Sequence, residues 1–364
     1  MDIGVYNSID EALFEITKDI KPLYYIEPVN REEEKKKFLA GKIKNPRFRY
    51  RGLEYDPKKT EGKLKALVIP KGRLRGIFLR KRKGLLMLNK IIENRQDSTF
   101  VRGMTIRAHG KPSRRLVAFA ERLLKEIPNV EQEKKVTSAA MKRTFERALG
   151  RYRLTDWSVK LVDKRLTTVY SSVKEITLSE KRKFSESDRI SGVIHEVEVH
   201  VLRAANGYEQ PLKILATGLP GYLPTEEGLG LYFEELIGAM SGQKLRSNAA
   251  KVIAVDSVCR GLTFRQAFVR LKSRGFGDNQ AWELTLRAYR GGGYVKDHVY
   301  LSGYLKVKDF AQKDGDFETL YLGKIGINDL PLMRELLRRK VIKKAKYIPR
   351  FLKDESFSSK IKAG

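Results

Sequence analysis

The sequence predicts an α+β fold that is mostly helical, with a small antiparallel sheet beside a helix that begins near residue 185. Three observations support this prediction. Long segments carry apolar residues at the three- and four-residue spacing of amphipathic helices, the segment 155–180 alternates between apolar and polar residues, and no internal repeat is present. Helices interrupted by one short run of strands are typical of α+β proteins rather than of alternating α/β proteins.

Length and composition indicate a folded protein of one large domain or two smaller ones. The chain has 364 residues, of which 41% are hydrophobic. Its one cysteine, Cys259, can form neither a disulfide framework nor a thiolate zinc site, which is compatible with a reducing compartment. The sequence shows no signal peptide and no apolar run of membrane-spanning length. We therefore expect a cytoplasmic protein with no membrane partner.

The net charge of +30 predicts an acidic partner. The partner could be nucleic acid, an anionic surface or an acidic peptide, and a generally lysine-rich, soluble surface is the alternative explanation. The stretch 63–92 has ten Lys or Arg residues and no Asp or Glu, and seven of the ten lie in 71–83. It is either a surface for a polyanion or a solvated face of an ordinary element.

The first 150 residues are expected to be mainly helical. Helices are predicted over 8–20, with Ser8 as N-cap, and over 31–42, 113–127 and 137–149, whereas Pro46 favours an extended segment at 45–50. We divide the chain into an N-terminal helical extension, 1–45, and a main domain, 46–364. The main domain consists of a basic part, 46–150, and a core, 151–364.

The core is predicted to begin with strands and to continue with helices. Residues 155–180 are expected to form two strands joined at Asp163-Lys164-Arg165. Ser185 then begins a helix, and Asp188 stands at the spacing of a capping box.

This helix contains the stretch HEVEVH, with His195, Glu196 and His200. A zinc peptidase needs two neutral imidazoles, a third ligand and a carboxylate beside the attacking water. The histidines are five residues apart, and five steps of about 100° would leave them about 140° apart on a regular helix. A metal site here therefore requires a π-type bulge or break between the histidines. The alternative is that both histidines are structural.

A second helix downstream offers further carboxylates. After a loop containing Gly218 and Gly221, Thr225 is predicted to cap a helix that carries Glu226 and Glu227. Carboxylates at a helix N-terminus are commonly only partners of the helix dipole. A glutamate on a second helix is also what a two-histidine metal site lacks.

The chain resembles the QEGLA-motif zinc metallopeptidases, also known as flavohaemoglobin expression-modulating proteins, which are related to the microtubule-associated tyrosine carboxypeptidases. The resemblance rests on HEVEVHVLRAANG at 195–207, QPLKILATGLPGY at 210–222, TEEGLG at 225–230, RGGGYVKDHVYLSGYL at 290–305 and GKIGINDLPLMRELL at 323–337. It implies a zincin-like metallopeptidase with one Zn²⁺ per chain, held by His195, His200 and Glu227. It also implies Glu196 as the catalytic base.

The sequence departs from the family pattern at two places. Glu198-Val199 stand where the family has Gly-Thr, and EEGLG replaces QEGLA. We expect the charged Glu198 to reach into the cleft and to alter substrate choice.

The remaining site residues are predicted from the chemistry of peptide hydrolysis. Tyr300, or else Tyr294, is the candidate donor to the developing oxyanion. The substrate carboxylate requires a cation, for which Arg203, Arg290 and Lys296 are candidates. His298 is expected to be structural, and a strand at 168–178 is expected to align the peptide by edge pairing.

The sequence thus predicts a zinc-dependent peptidase, with a carboxypeptidase preferred. Glu196 would assist water attack on a C-terminal residue of a peptide or protein tail, and an acidic tail would suit the positive charge. The alternative is a non-catalytic, basic nucleic-acid- or ribosome-associated protein that binds through 63–92 and, more weakly, 338–346.

Overall fold

The predicted α+β class is confirmed by a computed structural model, which describes residues 3–130, 132–163 and 167–354. The helices before the sheet are α1 Asn7–Asp19, α2 Pro22–Tyr25, α3 Arg31–Leu39, α4 Pro57–Ala66, α5 Arg75–Glu93, α6 Ser98–His109, α7 Arg114–Glu126 and α8 Ser138–Arg151. No described helix combines the length and apolarity of a membrane span.

The strands are β1 Ser158–Val162, β2 Thr168–Tyr170 and β3 Glu175–Ser179. The helical elements after them are α9 Glu186–Gly192, the π-helical segment Val193–Val201, α10 Leu202–Glu209, α11 Ile214–Thr217, α12 Leu223–Leu236, α13 Gly242–Cys259, α14 Phe264–Lys272, α15 Asp278–Gly293, α16 Val299–Lys313, α17 Phe317–Leu320 and α18 Leu330–Arg338.

Local capping determines where several helices begin. The Ser113 hydroxyl accepts a hydrogen bond from the backbone of Leu116, and Thr137 caps α8 in the same way. Both helices lie where the sequence predicted them. The predicted cap at Ser8 is wrong, because α1 begins at Asn7 and Ser8 lies within its first turn.

The sheet differs from the predicted antiparallel pair of strands. Its strand order is β1-β3-β2, in which β3 pairs parallel with β1 and antiparallel with β2. A tight turn over Ser171–Val173, followed by Lys174 at φ 52°, divides the predicted second strand in two. β3 takes the centre because it is the most buried strand. In the predicted connection between the two strands, Lys164 and Arg165 lie outside the described residues.

One hydrophobic core connects the three predicted segments 1–45, 46–150 and 151–364. It extends from Tyr6 to Ile348. The buried Asp10 carboxylate on α1 accepts hydrogen bonds from the backbone amides of Lys213 and Ile214. Helix α1 therefore holds the start of α11, the short helix that precedes the α11–α12 loop.

Two glycines allow α12 and α16 to pack unusually closely. A Cβ atom at Gly303 would lie 1.9 Å from the Pro224 carbonyl oxygen, and one at Gly228 would lie 2.4 Å from the Gly303 backbone. The side chains at these positions must therefore be absent. This contact places Glu227 on α12 and Tyr300 on α16 around the same cleft.

Several cations of the basic stretch 71–83 form structural contacts within the protein. Lys81 donates hydrogen bonds to Thr217 and to the Gly218 carbonyl, and Arg82 donates one to the Leu67 carbonyl. Arg73 forms an ion pair with Glu335. Part of the charge that suggested a polyanion surface therefore connects the stretch 71–83 to neighbouring elements.

Candidate active site

The predicted irregularity between the two histidines is confirmed. Ser185 and Asp188 form the predicted capping box, and α9 then continues into the π-helical segment Val193–Val201. Hydrogen bonds from residue i to i+5 bring side chains five positions apart onto the same face. The ring centroids of His195 and His200 consequently lie 4.8 Å apart.

Glu227 on α12 completes a cluster of three possible metal ligands. One donor atom each from His195, His200 and Glu227 lies within 4.8 Å of the other two. Glu227 Oε2 is 3.2 Å from His195 Nε2 and 3.8 Å from His200 Nε2. All three residues are buried or partly buried. The sequence prediction for these three residues thus corresponds to one compact group of donors.

The predicted N-cap of α12 at Thr225 is wrong. The helix begins at Leu223, with Pro224 in its first turn, where a proline costs no hydrogen bond. The Thr225 hydroxyl instead accepts a hydrogen bond from the backbone amide of Ile327. Thr225 therefore connects α12 to the segment before α18.

Buried carboxylates hold the outer nitrogen of each histidine. His195 Nδ1 lies 2.7 Å from Glu234 Oε1, and Glu234 is paired with Lys244. His200 Nδ1 lies 2.9 Å from Glu226 Oε1. These contacts leave both Nε2 atoms directed towards Glu227. Metal-binding histidines usually have their second nitrogen held in this way.

The charges of the cluster stabilise one another. Burial alone would lower the pKa of His195, but its hydrogen bonds to Glu227 and Glu234 raise that pKa to about 10. Burial alone would raise the pKa of Glu227, whereas His195 and His200 lower it to about 2. Lys324 and Arg203 likewise hold the pKa of the buried Glu226 well below its ordinary value.

The donor set fits zinc. Two imidazoles and one carboxylate are a known set of three protein ligands for catalytic zinc. Tetrahedral coordination with bonds of about 2.0–2.2 Å separates the donor atoms by about 3.3–3.6 Å. The two measured distances from Glu227, 3.2 and 3.8 Å, lie close to this range.

Gly230 provides the space for the His195 ring, since a Cβ atom there would lie 2.3 Å from His195 Nδ1. We expect Gly230→Ala to displace the imidazole and to weaken zinc binding by about 10- to 100-fold, as loss of ligand orientation does elsewhere. Chelator competition measures this affinity. Gly103→Ala on α6, where a Cβ atom meets nothing within 4 Å, is the control and should bind zinc normally. Unchanged affinity in Gly230→Ala would contradict the packing argument.

The cluster opens into a cleft of about 900 Å³ that contains both candidate catalytic residues. Glu196 is partly exposed and lines the cleft beside the histidines. The Tyr300 ring lies 6.4 Å from the His195 ring at an angle of 19°. Burial and the charge of Glu227 raise the pKa of Tyr300 well above its ordinary value, so its hydroxyl stays protonated. Tyr294 packs elsewhere, against Ile26 and Val101.

Arg203 is not placed to bind a substrate carboxylate. It is fully buried, and its guanidinium donates hydrogen bonds to the carbonyls of Leu320, at 3.0 Å, and Ile325, at 2.5 Å. Its third contact is an ion pair with Glu226. We therefore assign Arg203 to the support of the His200–Glu226 contact, because no part of it faces the cleft.

The other two candidate cations for the substrate carboxylate both line the cleft, but they differ in their ion pairing. Arg290 is only 4% exposed and forms an ion pair with Glu27 at 2.8 Å. Lys296 is partly buried, and its side-chain ammonium forms no ion pair or hydrogen bond with the residues that the structure describes.

Glu198 does not reach into the cleft as expected. Its buried carboxylate accepts a hydrogen bond from the Tyr152 hydroxyl, behind the π-helical segment. Burial raises the pKa of Glu198. His298 lies away from the histidine cluster, and its Nε2 donates a hydrogen bond to the His109 carbonyl oxygen at 3.1 Å, consistent with the expected structural position.

The short strand β2 forms part of the cleft wall. Thr168 and Val169 line the cleft, and β2 is an edge of the described sheet. The part of the predicted strand 168–178 that lies at the site is therefore an edge, as a peptide-aligning strand requires.

Sequence reasoning missed several residues of the site, namely Glu234, Lys244, Lys251 and Arg287. Glu234 follows Glu227 by seven residues, a spacing that places both on one helix face and could have been noticed. The other three lie on α13 and α15, which carry no motif that distinguishes them from ordinary amphipathic helices.

Comparison with known proteins identifies related sequences. The family model described as microtubule-associated tyrosine carboxypeptidase matches residues 36–363. The chain is similar to microtubule-associated tyrosine carboxypeptidase 1 of Rattus norvegicus, with 31% identity over 172 residues, 44% of this chain and 35% of the relative. It is also similar to the putative tyrosine carboxypeptidase MATCAP2 of Mus musculus, with 28% identity over 174 residues, 44% of this chain and 32% of the relative.

The matched region spans about a third of the length of these curated relatives. The family model, by contrast, covers most of the present sequence, and it confirms the relationship that the motifs predicted. The chain therefore belongs to the microtubule-associated tyrosine carboxypeptidase family.

Proposed function

We propose that the protein is a zinc-dependent carboxypeptidase that removes a C-terminal residue from peptide or protein tails. The observation that carries this proposal is the arrangement of the two histidines. Both direct Nε2 towards Glu227, while buried carboxylates hold both Nδ1 atoms. Membership of the family supports the same reaction class.

His195, His200 and Glu227 would hold the metal. Zinc, when bound, would supply Lewis-acid activation of water and of the scissile carbonyl. Glu196 would accept a proton from the attacking water and transfer it to the nitrogen of the departing residue. The protonated Tyr300 hydroxyl would donate a hydrogen bond to the oxyanion that develops on the carbonyl oxygen.

Tyrosine is the first terminal residue to test, because both curated relatives are named tyrosine carboxypeptidases. An acidic tail preceding that residue would suit the cleft, whose walls include Lys244, Lys251 and Lys296.

Metal content separates this proposal from the nucleic-acid alternative. We expect the purified protein to hold about one zinc ion per chain and His195→Ala to lose it, because a two-ligand site binds weakly. Elemental analysis by mass spectrometry measures both. A zinc-free protein that binds duplex DNA tightly and with steep salt dependence would overturn the proposal.

The reaction itself is tested by digesting a peptide library and reading the products by mass spectrometry. Loss of single C-terminal residues supports the carboxypeptidase assignment. Internal cuts in peptides whose C-terminus is amidated would overturn it.

A further inference from the structure

A pair of cations lies in the cleft wall beside Tyr300. Lys251 on α13 and Arg287 on α15 both line the cleft. The Lys251 ammonium is 4.2 Å from the centroid of the Tyr300 ring, and that ring in turn stacks 6.4 Å from the His195 ring. The pair is therefore separated from a proposed metal ligand by one aromatic side chain.

The positive charge of this wall is only partly compensated. Arg287 Nε donates to Asp297 at 2.6 Å, and Asp297 is 3% exposed. Lys251 donates to the neutral Asn248 side chain at 2.8 Å and forms no ion pair with the residues that the structure describes. Burial, with the nearby charge of Arg287, lowers the pKa of Lys251 to about 7. An anion placed between the two cations would relieve this repulsion.

Arg287 is held in a suitable orientation to receive that anion. Its contact with Asp297 uses the Nε side of the guanidinium, and the two Nη atoms form no hydrogen bond within the described part of the chain. The side chain keeps 20% of its surface exposed. A guanidinium with free Nη atoms binds a carboxylate through two parallel hydrogen bonds.

We propose that Arg287 and Lys251 bind the C-terminal carboxylate of the peptide, and that Asp297 positions Arg287 for this contact. The inference rests on the proposed function and deepens it. Anchoring the carboxylate beside Tyr300 and the histidine cluster restricts the enzyme to the last peptide bond. It also provides the contact that the buried Arg203 does not make.

Binding to an inactive protein tests this site separately from catalysis. The parent is Glu196→Gln, and the probe is an acetylated hexapeptide ending in tyrosine, prepared as the free acid and as the C-terminal amide. Calorimetry should show that the parent binds the acid about 10- to 100-fold more tightly, as expected for charge-assisted hydrogen bonds. Adding Lys251→Met or Arg287→Met should reduce this preference to less than about 3-fold.

Two further variants control for charge and folding. Arg287→Lys keeps the charge but loses the paired hydrogen bonds, so its preference should be intermediate, and it serves if Arg287→Met does not fold. Lys134→Met removes an exposed lysine from the same cleft and should leave the preference intact. The inference is overturned if the parent binds the acid and the amide equally tightly. It is also overturned if Lys134→Met reduces the acid preference as much as Lys251→Met does, or if Lys251→Met and the Arg287 variants keep the preference of the parent.

Zinc content and cleavage by the chain with Glu196 intact report on the proposed function independently. A zinc-containing, active enzyme that shows no acid preference would contradict the carboxylate site and still support the proposed function. A zinc-free, inactive protein whose acid preference depends on Arg287 and Lys251 would support the carboxylate site and contradict the proposed function.

Discussion

Replacing Glu196 with Gln is expected to lower kcat by about 100- to 10,000-fold while one zinc ion per chain is retained. Glu196 lines the cleft beside His195 and His200 but is not among the clustered metal donors. The amide of Gln keeps the size of the side chain and cannot accept the proton of the attacking water. The substitution therefore removes the proposed proton transfer and leaves the three proposed metal ligands in place.

Single-turnover cleavage of a peptide ending in tyrosine, together with elemental analysis, measures both parts of this prediction. The matched control is Glu283→Gln, because Glu283 lines the same cleft but forms an ion pair with Lys35. It should stay within about 3-fold of the unmodified chain, since it has no role in proton transfer. If Glu196→Gln retained activity within about 3-fold, Glu196 would not be the base.

Glu226→Ala is expected to lower the free energy of unfolding by about 3–5 kcal/mol. Glu226 is 1% exposed and forms ion pairs with Arg203 and with Lys324, the latter at 2.6 Å. Removing the carboxylate leaves two buried cations without their counter-charge, which is far more costly than removing an exposed pair. His200 would also lose the partner of Nδ1, so zinc affinity should fall by about 10- to 100-fold.

Urea unfolding in the presence of a chelator isolates the effect of the buried charges from that of the metal. Glu235→Ala is the control on the same helix. Glu235 is 37% exposed and contacts the Tyr304 hydroxyl and Lys308, so its loss should cost about 1 kcal/mol or less. A cost below about 1 kcal/mol for Glu226→Ala would mean that Arg203 and Lys324 find other partners or reach water.

Helix positions could be predicted where the relevant interactions are local. Ser113, Thr137 and Ser185 bond to backbone amides three residues ahead, so residue type and spacing are sufficient to identify these caps. Thr225 has the same local features, but its hydroxyl bonds to Ile327, 102 residues away. A local pattern cannot reveal such a competitor.

Strand pairing could not be derived from alternation alone. The pattern at 155–180 indicates strands but contains no information about which strand is most buried. β3 occupies the centre because four of its five residues are buried, and β1 then pairs with it in parallel. The choice of a central strand depends on packing against helices that lie far away in sequence.

In the histidine stretch, the sequence predicted the backbone correctly and the direction of two side chains wrongly. The spacing of five residues required a departure from regular helix, and the segment is π-helical throughout Val193–Val201. From the same stretch, Arg203 and Glu198 were predicted to face the substrate, whereas both side chains are buried behind the cleft. Which face of an irregular helix meets solvent depends on its neighbours rather than on its own periodicity.

The helical class, the departure from regular helix between His195 and His200, and the family could all be predicted from the amino-acid sequence. These properties follow from residue type and from spacing over a few positions. The contacts of Glu226 and Glu234 with the histidines, and the position of Lys251 and Arg287 in the cleft wall beside Tyr300, become visible only in the folded protein. Such contacts join residues far apart in the chain, and the burial that makes their charges matter exists only once the helices have packed.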